Sequence, residues 1–347
     1  MTPGIIERYA AWLPVTPATP LVSLGEGSTP LVTSRRIGPS LGLSRLFFKY
    51  EGLNPSGSFK DRGMALAVAK AIESGAHALI CASTGNTSAS ASAYAASRGL
   101  KALVVLPSGG VATGKLAQAL AYGALIVPVR GNFDRALEVV RALAQTPGYA
   151  VVNSINPFRI EGQKTAALEV FEQLGVAPDR VFLPVGNAGN ITAYWRGFSE
   201  LHEKRGASLP RMHGAQATGA APIVKGHPVK RPRTVASAIR IGNPASWKTA
   251  LAARDQSHGS IEAVTDEEIL SAQRLLAREE GLLAEPASGA GVALLIRMAQ
   301  TGQLRPDERI VCVLTGQGLK DPHALMRGLR LPPAVEPTED AVRAAIR

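Results

Sequence analysis

Short apolar runs rich in β-branched residues alternate with longer, Ala-rich amphipathic segments along most of the 347-residue chain. Short runs without polar alternation are typical of strands buried on both faces, while the intervening segments have the periodicity of helices with one apolar side. Alternation of the two is typical of parallel sheets covered by helices. The sequence therefore predicts an α/β fold built on open, twisted, mostly parallel sheets flanked by helices.

The alternation also gives approximate bounds for these elements. The predicted strands are Arg45–Glu51, Ala78–Ala82, Ala102–Leu106, Leu125–Val129, Ala150–Asn153, Val181–Val185, His213–Ala217 and Arg309–Leu314. The predicted helices are Ser58–Ser74, Thr87–Arg98, Thr113–Tyr122, Phe133–Gln145, Arg159–Leu174, Asn190–Lys204, Thr265–Glu280 and Ser288–Gln300. Pro, Gly and basic residues dominate Ala221–Ala245, where neither periodicity persists, so this segment is predicted to be a long surface loop.

Composition excludes several classes of protein. With 46% apolar and 19% charged residues, the chain is typical of a soluble globular protein and not of a disordered or collagenous one. Cys81 and Cys312 lie in apolar runs without CxxC or Cys/His spacing, so no metal site is expected. Residues 1–14 lack the basic start and long apolar stretch of a secretory signal, which predicts a cytoplasmic protein.

The formal charge of +11 is concentrated in one segment. Residues 204–254 contain ten Lys and Arg and no Asp or Glu, whereas the rest of the chain carries 28 bases against 27 acids. An overall basic charge can indicate a nucleic-acid partner. No aromatic ladder or RNA-binding motif accompanies the segment, so a nucleic-acid-binding protein is the weaker alternative.

Four loops rich in Gly, Ser or Asn follow predicted strands. A single loop of this kind is often only a tight turn. In a parallel sheet, however, such loops all lie along the carboxyl edge and meet at one crevice, so together they predict the functional site. The four loops are Asn54–Gly63, Ser83–Ser88, Gly186–Asn190 and Thr315–Gly318.

The loop Gly186–Asn190 precedes a predicted helix, whose first N–H groups and dipole can bind a phosphate. The chain contains neither GxGxxG nor GxxxxGK[ST], so a dinucleotide or a nucleoside triphosphate is not supported. The phosphate is therefore expected to belong to a smaller ligand.

Lys60 lies at a predicted helix start beside Asp61 and Arg62. A lysine in this position is usually a solvated surface residue. A helix N-terminus nevertheless disfavours a cation, and an amine held beside Arg62 tends to lose its proton, as a Schiff-base lysine must. The residue chemistry leaves both interpretations open.

Four motifs, in this order, resemble those of the pyridoxal-phosphate enzymes with the tryptophan-synthase-β fold, or fold type II. They are SFKDRG (58–63), ASTGNTSAS (82–90), PVGNAGN (184–190) and LTGQGLKDP (314–322). Within that group the chain is most similar to the threonine synthases, which the segments Asn153–Glu169 and Ile239–Trp247 also resemble. The resemblance extends from about residue 25 to residue 322 and implies two sheets with the cofactor pyridoxal 5′-phosphate between them.

The resemblance implies a role at the cofactor for several residues. Lys60 would form the covalent link with the cofactor and then transfer protons as general base and acid. Asn86 would hydrogen-bond the 3′ oxygen, and Thr315 would face the ring nitrogen. A neutral hydroxyl cannot hold that nitrogen protonated as an Asp would. The cofactor phosphate would be held by Gly186, Asn187, Ala188, Gly189 and Asn190.

Threonine synthases convert O-phospho-L-homoserine and water to L-threonine and phosphate by a β,γ-replacement, the last step of threonine biosynthesis. Arg159 would bind the substrate phosphate because a guanidinium matches phosphate oxygens. Asn187 and Lys115 are weaker candidates, and for Lys115 a solvated helix lysine is an equal alternative. The implied substrate ligands are Ser83, Thr84 and Thr87 for the α-carboxylate, and Asn153, Ser154, Arg159 and Lys115 for the phosphate.

The resemblance also implies a domain division. We expect a smaller α/β domain, residues 41–152, that closes over the substrate, and a larger domain formed by residues 1–40 and 153–347. Closure is expected because the unsaturated intermediate can otherwise hydrolyse. We also expect a homodimer.

Sibling enzymes of the same fold are the nearest alternatives. Dehydratases usually have a Ser- and Gly-rich phosphate loop and cysteine synthases a Gly- and Thr-rich one, so GNAGN (186–190) disfavours both. Cysteate synthase is harder to exclude because it resembles threonine synthase and takes O-phosphoserine, which is one carbon shorter.

We interpret the basic segment as an electrostatic guide for small phosphorylated anions. Neutralising Lys225, Lys230, Arg231 and Arg233 together is expected to lower kcat/KM at low salt and to matter little at high salt, because salt screens exposed charges. Rates measured across a salt series check this. A salt-independent loss, or none, would contradict it.

Overall fold

The computed structural model describes residues 3–108, 113–130, 133–327, 329 and 333–345, with only the backbone described for residues 107, 113–115, 133 and 134. The strands are β1 Leu31–Thr33, β2 Leu46–Tyr50, β3 Ala78–Ala82, β4 Lys101–Pro107, β5 Leu125–Val129, β6 Tyr149–Val151, β7 Arg180–Pro184, β8 Arg211–Ala217, β9 Ser260–Val264 and β10 Ile310–Leu314. The helices are α1 Ile5–Arg8, α2 Ile37–Ser40, α3 Lys60–Glu73, α4 Asn86–Ser97, α5 Thr113–Ala121, α6 Phe133–Leu143, α7 Pro157–Leu174, α8 Gly189–Arg205, α9 Pro222–Lys225, α10 Trp247–Gln256, α11 Asp266–Leu275, α12 Pro286–Gln300, α13 Pro322–Met326 and α14 Glu339–Ala345.

The strands form two sheets. One sheet has the order β1-β2-β10-β7-β8-β9, in which only β1 runs antiparallel to its neighbour. The other has the order β5-β4-β3-β6 and is parallel throughout. Strands β3, β7 and β10 are buried at every position, as strands covered by helices on both faces must be. The predicted α/β class with two mostly parallel sheets is confirmed.

Each predicted strand and helix is present within a few residues of its predicted bounds. Thr265 and Glu268 exchange side-chain and backbone hydrogen bonds and thereby form a capping box at the start of α11. Strands β1 and β9 were not predicted, and neither was helix α10. Both strands are partly exposed edge strands, and edge strands lack the continuous apolar run of a central strand.

Strand β2 lies in the six-stranded sheet, where it pairs with β1 and β10. The predicted smaller domain, residues 41–152, includes this strand, so the structure differs from the prediction at its first boundary. The pairing of β2 with β10 joins residues far apart along the chain, which local sequence cannot indicate. The other strands of that predicted domain, β3 to β6, form the four-stranded sheet. The division into two domains stays a prediction.

The segment 221–245 is irregular apart from α9 and a 3₁₀ turn at Ser237–Ile239. Unlike a freely exposed surface loop, it makes hydrogen bonds to other parts of the chain and buries one side chain. Val235 N–H donates to Asp266 at 3.0 Å, Ser237 donates to Asp321 at 2.6 Å, and Ile239 is buried. The middle of the segment is therefore anchored to the larger sheet's helices.

Helices α3 and α7 approach each other until their backbones touch. A Cβ on Gly162 of α7 would collide with the Arg62 carbonyl oxygen and come within 2.9 Å of the Gly63 Cα of α3. A Cβ on Gly63 would come within 2.6 Å of the Arg159 carbonyl oxygen. Only glycine at both positions allows this contact. It brings the N-terminal turn of α3, with Lys60, beside Arg159 in the first turn of α7.

Four buried ionic side chains lie beside this helix contact. Arg62 donates to both carboxylate oxygens of Glu51 at 2.7 Å and to Glu169 at 2.9 Å, and Lys49 donates to Glu169 at 2.5 Å. Burial alone would raise the pKa of Glu169, but Arg62 and Lys49 outweigh it and hold that pKa well below its usual range. Because the charges balance and are hydrogen-bonded, they join α3, α7 and β2 in one arrangement.

Asn156 precedes helix α7 and caps it, since its side chain accepts a hydrogen bond from the Phe158 N–H. Gly175, in the left-handed conformation, follows the last residue of the helix. Its 18 residues would be long enough to cross a membrane, but buried charged side chains occur along its length. Within the described ranges, no helix combines the length and apolar character that crossing a membrane requires.

We predict that Gly162→Ala lowers the free energy of unfolding by about 3 kcal/mol, because the added methyl group must separate α3 from α7. The shift of the urea midpoint measures this. Gly85→Ala is the matched control, since a Cβ there meets no atom within 4 Å. Equal midpoints for the two variants would contradict the prediction.

Candidate functional site

The loops that follow β2 and β10 lie side by side. Ser58 and Gly316 form an isolated β-bridge, and Phe59 N–H donates to the Thr315 carbonyl at 3.0 Å. Gln317 N–H donates to the Gly57 carbonyl at 3.0 Å. The predicted site segments 54–63 and 315–318 are thus brought together.

Two side-chain contacts connect the sheets across a cleft. Asn86, after β3, donates to Glu285 of the α12 N-terminus, with distances of 3.1 and 3.0 Å from Nδ2 to the two carboxylate oxygens. Asn187, after β7, donates to the Ser154 hydroxyl at 2.6 Å, just after β6. The four predicted loops therefore surround one cleft at the carboxyl ends of both sheets.

Lys60 is the first residue of α3, and its Nζ lies 4.3 Å from the centre of the Phe59 ring. Loss of solvation and, after it, the positive charge of Arg159 lower its pKa to about 7, although the Glu285 carboxylate acts in the opposite direction. An amine of this pKa is largely uncharged just above neutrality. The expectation that Arg62 lowers the pKa of Lys60 is wrong. Arg62 belongs to the buried ionic cluster, and the positive charge that acts on Lys60 is that of Arg159.

Arg159 is 1% exposed, yet only part of its guanidinium is used. Its NH1 group donates to the Val152 carbonyl at 2.7 Å, whereas Nε and NH2 have no partner among the described residues. Burial lowers its pKa to about 10, so it remains a cation at neutral pH. A buried cation with unused donors is suited to binding an anion.

The loop Gly186–Asn190 forms a cup at the start of α8. Ala188 has a φ of +64°, so the chain reverses in the left-handed region before the helix begins at Gly189. The N–H groups of the first helical turn are available there, and Asn190 Nδ2 is buried without a partner in the described part of the chain. The cup therefore presents hydrogen-bond donors, as an anion site needs.

The far wall of this cup comes from the basic segment. A Cβ on Gly186 would lie 2.9 Å from the Ile239 Cα, so only glycine lets the two backbones approach. Asn187 fixes the next stretch, since its Oδ1 accepts from Ala245 N–H at 2.8 Å and its carbonyl accepts from Ser246 N–H at 3.2 Å. Sequence reasoning singled out 239–247 as a motif without giving it this role.

The loop Ser83–Thr87 turns into the N-terminus of α4. The Ser83 hydroxyl accepts from the Gly85 N–H at 3.1 Å, and Thr84 and Thr87 are half-buried beside it. Hydroxyls and helix N–H groups together can hold a carboxylate. The predicted carboxylate ligands are thus grouped in one turn, and their role stays a prediction.

The remaining predicted substrate ligands, Asn153, Ser154 and Lys115, differ in the contacts that their side chains make. Asn153 is 6% exposed and bonds both ways with Ala82, accepting from its N–H at 2.9 Å and donating to its carbonyl at 2.8 Å. It holds the end of β3 beside the end of β6. Ser154 faces Asn187 as described. The side chain of Lys115 lies outside the described residues, so its predicted role is not addressed.

Glu285 is the main residue that sequence reasoning missed. It occupies the position just before α12, is 1% exposed, and its side chain contacts both Asn86 and Thr315. Ser288 adds a hydroxyl 3.2 Å from that of Thr315. The signal for Glu285 was a single carboxylate within the apolar stretch Leu282–Ala287, immediately before a proline that starts a helix.

Comparisons with known proteins agree with this geometry. Residues 22–316 match the family model described as pyridoxal-phosphate dependent enzyme. The chain is 58% identical to the threonine synthase of Bacillus sp. over 93% of this chain and 91% of that protein. It is 53% identical to the threonine synthase of Halalkalibacterium halodurans over 97% and 95%. The crystal structure of the T.th. threonine deaminase superposes with a TM-score of 0.72 at 28% identity, covering 95% of this chain and 97% of that one.

We predict that Lys60 in the cofactor-free protein reacts with an amine-selective acylating reagent with a midpoint near pH 7, since only the uncharged amine is nucleophilic. Arg159→Met removes a neighbouring positive charge, so the Lys60 pKa and the midpoint should rise. Peptide mass spectrometry at Lys60 gives the rates, with the exposed Lys248 as internal reference. A midpoint unchanged by Arg159→Met would contradict the assigned cause.

Proposed function

The chain belongs to the pyridoxal-phosphate-dependent enzyme family and, within it, to the threonine synthases, and on that basis we propose that its substrate is O-phospho-L-homoserine. Water and this substrate would give L-threonine and phosphate. The observation that carries the proposal is the buried Arg159 beside Lys60, with two guanidinium nitrogens that lack a partner among the described residues.

The residues of the cleft fit pyridoxal 5′-phosphate. The Gly186–Asn190 cup presents N–H groups for its phosphate, and Lys60 is the amine that would join its aldehyde. Asn86 Oδ1 is buried without a partner in the described structure and would contact the 3′ oxygen, and Thr315 would face the ring nitrogen. When bound, the cofactor supplies an electron sink that makes the hydrogens on Cα and Cβ of the substrate acidic.

Lys60 would move protons in both directions. With a pKa of about 7, its amine can accept the proton from Cα of the substrate and return one at Cγ without a large energetic cost. The negative Glu285 and positive Arg159 act on it in opposite directions, which keeps both protonation states accessible. The proposed β,γ-replacement needs such an exchange at three adjacent carbons.

Two groups of residues would hold the two ends of the substrate. The hydroxyls of Ser83, Thr84 and Thr87, with the start of α4, would bind the α-carboxylate. Arg159, with Ser154 and Asn187 near it, would bind the substrate phosphate and stabilise its departure. Binding at both ends fixes Cα near Lys60, and water would then add at Cβ after the phosphate leaves.

We propose that the four-stranded sheet with its helices moves toward the six-stranded sheet when substrate binds. The support is the apolar cluster on one face of that sheet, which includes Ile80, Val105 and Val140 and is separate from the core that the other face shares with the six-stranded sheet. The expected homodimer and the expected cytoplasmic location stay predictions.

We predict that the purified protein releases phosphate and L-threonine in equal amounts from O-phospho-L-homoserine. Lys60→Ala should reduce the rate at least about 10³-fold, because the proton-transferring amine is lost. Lys248→Ala is the control, since Lys248 is an exposed lysine away from α3. Coupled assays of both products make the measurement.

Three results would overturn the proposed reaction. They are a colourless protein after addition of pyridoxal phosphate, full activity in Lys60→Ala, and turnover of O-phosphoserine in place of O-phosphohomoserine. The last result would favour the cysteate synthase alternative.

We predict that a phosphonate analogue of O-phospho-L-homoserine slows amide hydrogen exchange in α4, because closure excludes water from the helix start that binds the carboxylate. Exchange in α11, which packs against α12, serves as the control. Mass spectrometry of peptides from both helices gives the comparison. Unchanged protection of α4 at saturating analogue would contradict closure.

A further inference from the structure

Asp61 is a buried carboxylate that directly follows Lys60 in the first turn of α3. Ser56 binds it twice, through its backbone N–H at 2.6 Å from Oδ2 and through its hydroxyl at 2.5 Å from Oδ1. Ser90 of α4 donates to the same Oδ1 at 2.6 Å. Burial raises the pKa of Asp61, and the hydrogen bonds from Ser56 and Ser90 act against that rise. The carboxylate thus joins the loop before Lys60 to a helix that packs on the four-stranded sheet.

Ser56 is also held from its other side. Its carbonyl accepts from the Lys320 amine at 2.5 Å and from the Gln118 side chain of α5 at 3.0 Å, and Lys320 donates to Gln118 at 2.6 Å. Lys320 is 8% exposed, and its positive charge favours the ionised form of Asp61. Ser56 and the carboxylate that it binds therefore have defined positions.

Ser90 lies one helical turn beyond the start of α4. At spacings of three and four residues, it shares a face of that helix with Thr87 and Asn86. Under the proposed function, this first turn binds the α-carboxylate of the substrate. The hydrogen bond from Ser90 to Asp61 therefore connects the carboxylate-binding turn to the residue beside Lys60.

Helix α4 consists mostly of Ala and Ser, with the sequence NTSASASAYAAS. Such short side chains form shallow ridges and grooves, so packing alone defines the position of this helix against α3 only weakly. A charge-assisted hydrogen bond is short and directional. Tyr94 donates to Glu26 of the N-terminal segment at 2.7 Å, and Ser90 fixes the turn nearer the helix start.

We infer that Asp61 is a positioning residue that sets the start of α4 relative to Lys60 and thereby aligns the substrate carboxylate with the amine that accepts the Cα proton. The inference rests on the proposed function, in which the start of α4 binds that carboxylate. A shift of α4 would weaken carboxylate binding and slow proton transfer, because Cα would lie out of line with the Lys60 amine.

Two ligands that differ at the carboxylate test this. L-Threonine and L-threoninamide can both react with the bound cofactor through their amine and change its absorbance, but only L-threonine carries the negative charge. The wild-type protein should prefer L-threonine, as measured by the ratio of the two dissociation constants. Ser90→Ala breaks the contact with Asp61, so this preference should fall about tenfold, the loss expected for one hydrogen bond to a charged group. A general loosening of the site would weaken both ligands and leave the ratio unchanged.

Ser92→Ala is the matched control. Ser92 is as deeply buried as Ser90 on the same helix, but its hydroxyl donates to the Ser88 carbonyl within α4, at 2.8 Å. The preference should therefore stay at the wild-type value in this variant.

Asp61→Asn is the second variant and removes the charge that Ser90 binds. It should lower the preference in the same direction, and the double variant with Ser90→Ala should lower it little further, since the two residues act through one contact. If Asp61→Asn does not fold, Ser90→Ala and its control still decide the inference.

The outcomes separate the two proposals. A wild-type protein that neither gains cofactor absorbance nor turns over O-phospho-L-homoserine overturns the proposed function and the inference with it. A loaded, active wild-type protein whose preference is unchanged in Ser90→Ala overturns the inference alone. An equal fall in Ser92→Ala also overturns it, because the loss would then follow from any buried serine of α4.

Discussion

The direct contact of α3 with α7 at Gly63 and Gly162 is the constraint on which the site depends. Without a Cβ at either position, the helix that begins with Lys60 lies against the helix that carries Arg159. Two cations are thereby placed together in a poorly solvated cleft, which is unfavourable in isolation. The buried cluster of Arg62, Glu51, Glu169 and Lys49 holds the same helices together a turn away.

The electrostatic consequence is a lysine that gives up its proton near neutral pH. Burial and the charge of Arg159 both disfavour the ammonium form, and Glu285 opposes them across the cleft. Because these groups come from three different helices, the pKa of Lys60 depends on how the two sheets meet. Any change that moved α7 or α12 away from α3 would therefore alter the chemistry of Lys60 without touching its side chain.

Local signals were sufficient for most strands, most of the longer helices and the loops at the carboxyl edge, because periodicity and the positions of glycines follow directly from what the backbone requires. The Gly186–Asn190 cup belongs to this class. Local sequence signals could not, however, predict which side chains meet across the cleft. The physical argument paired Lys60 with Arg62, its neighbour in sequence, whereas the structure pairs it with Arg159, and it passed over Glu285 altogether. The pairing of β2 with β10 was likewise not predictable, because it joins residues far apart along the chain.

Two buried arginines show how structural and functional polar groups differ in one fold. Arg62 uses Nε, NH1 and NH2 on carboxylates and on Thr29, so its position needs no ligand. Arg159 is as deeply buried but has two nitrogens without a partner in the described chain. A protein gains nothing in stability from a buried donor left unsatisfied, since the cost of desolvating it is not recovered. Among the described residues, Arg159, Asn86 and Asn190 each have a buried polar atom without a partner, and under the proposed function these are the atoms that ligand groups would satisfy.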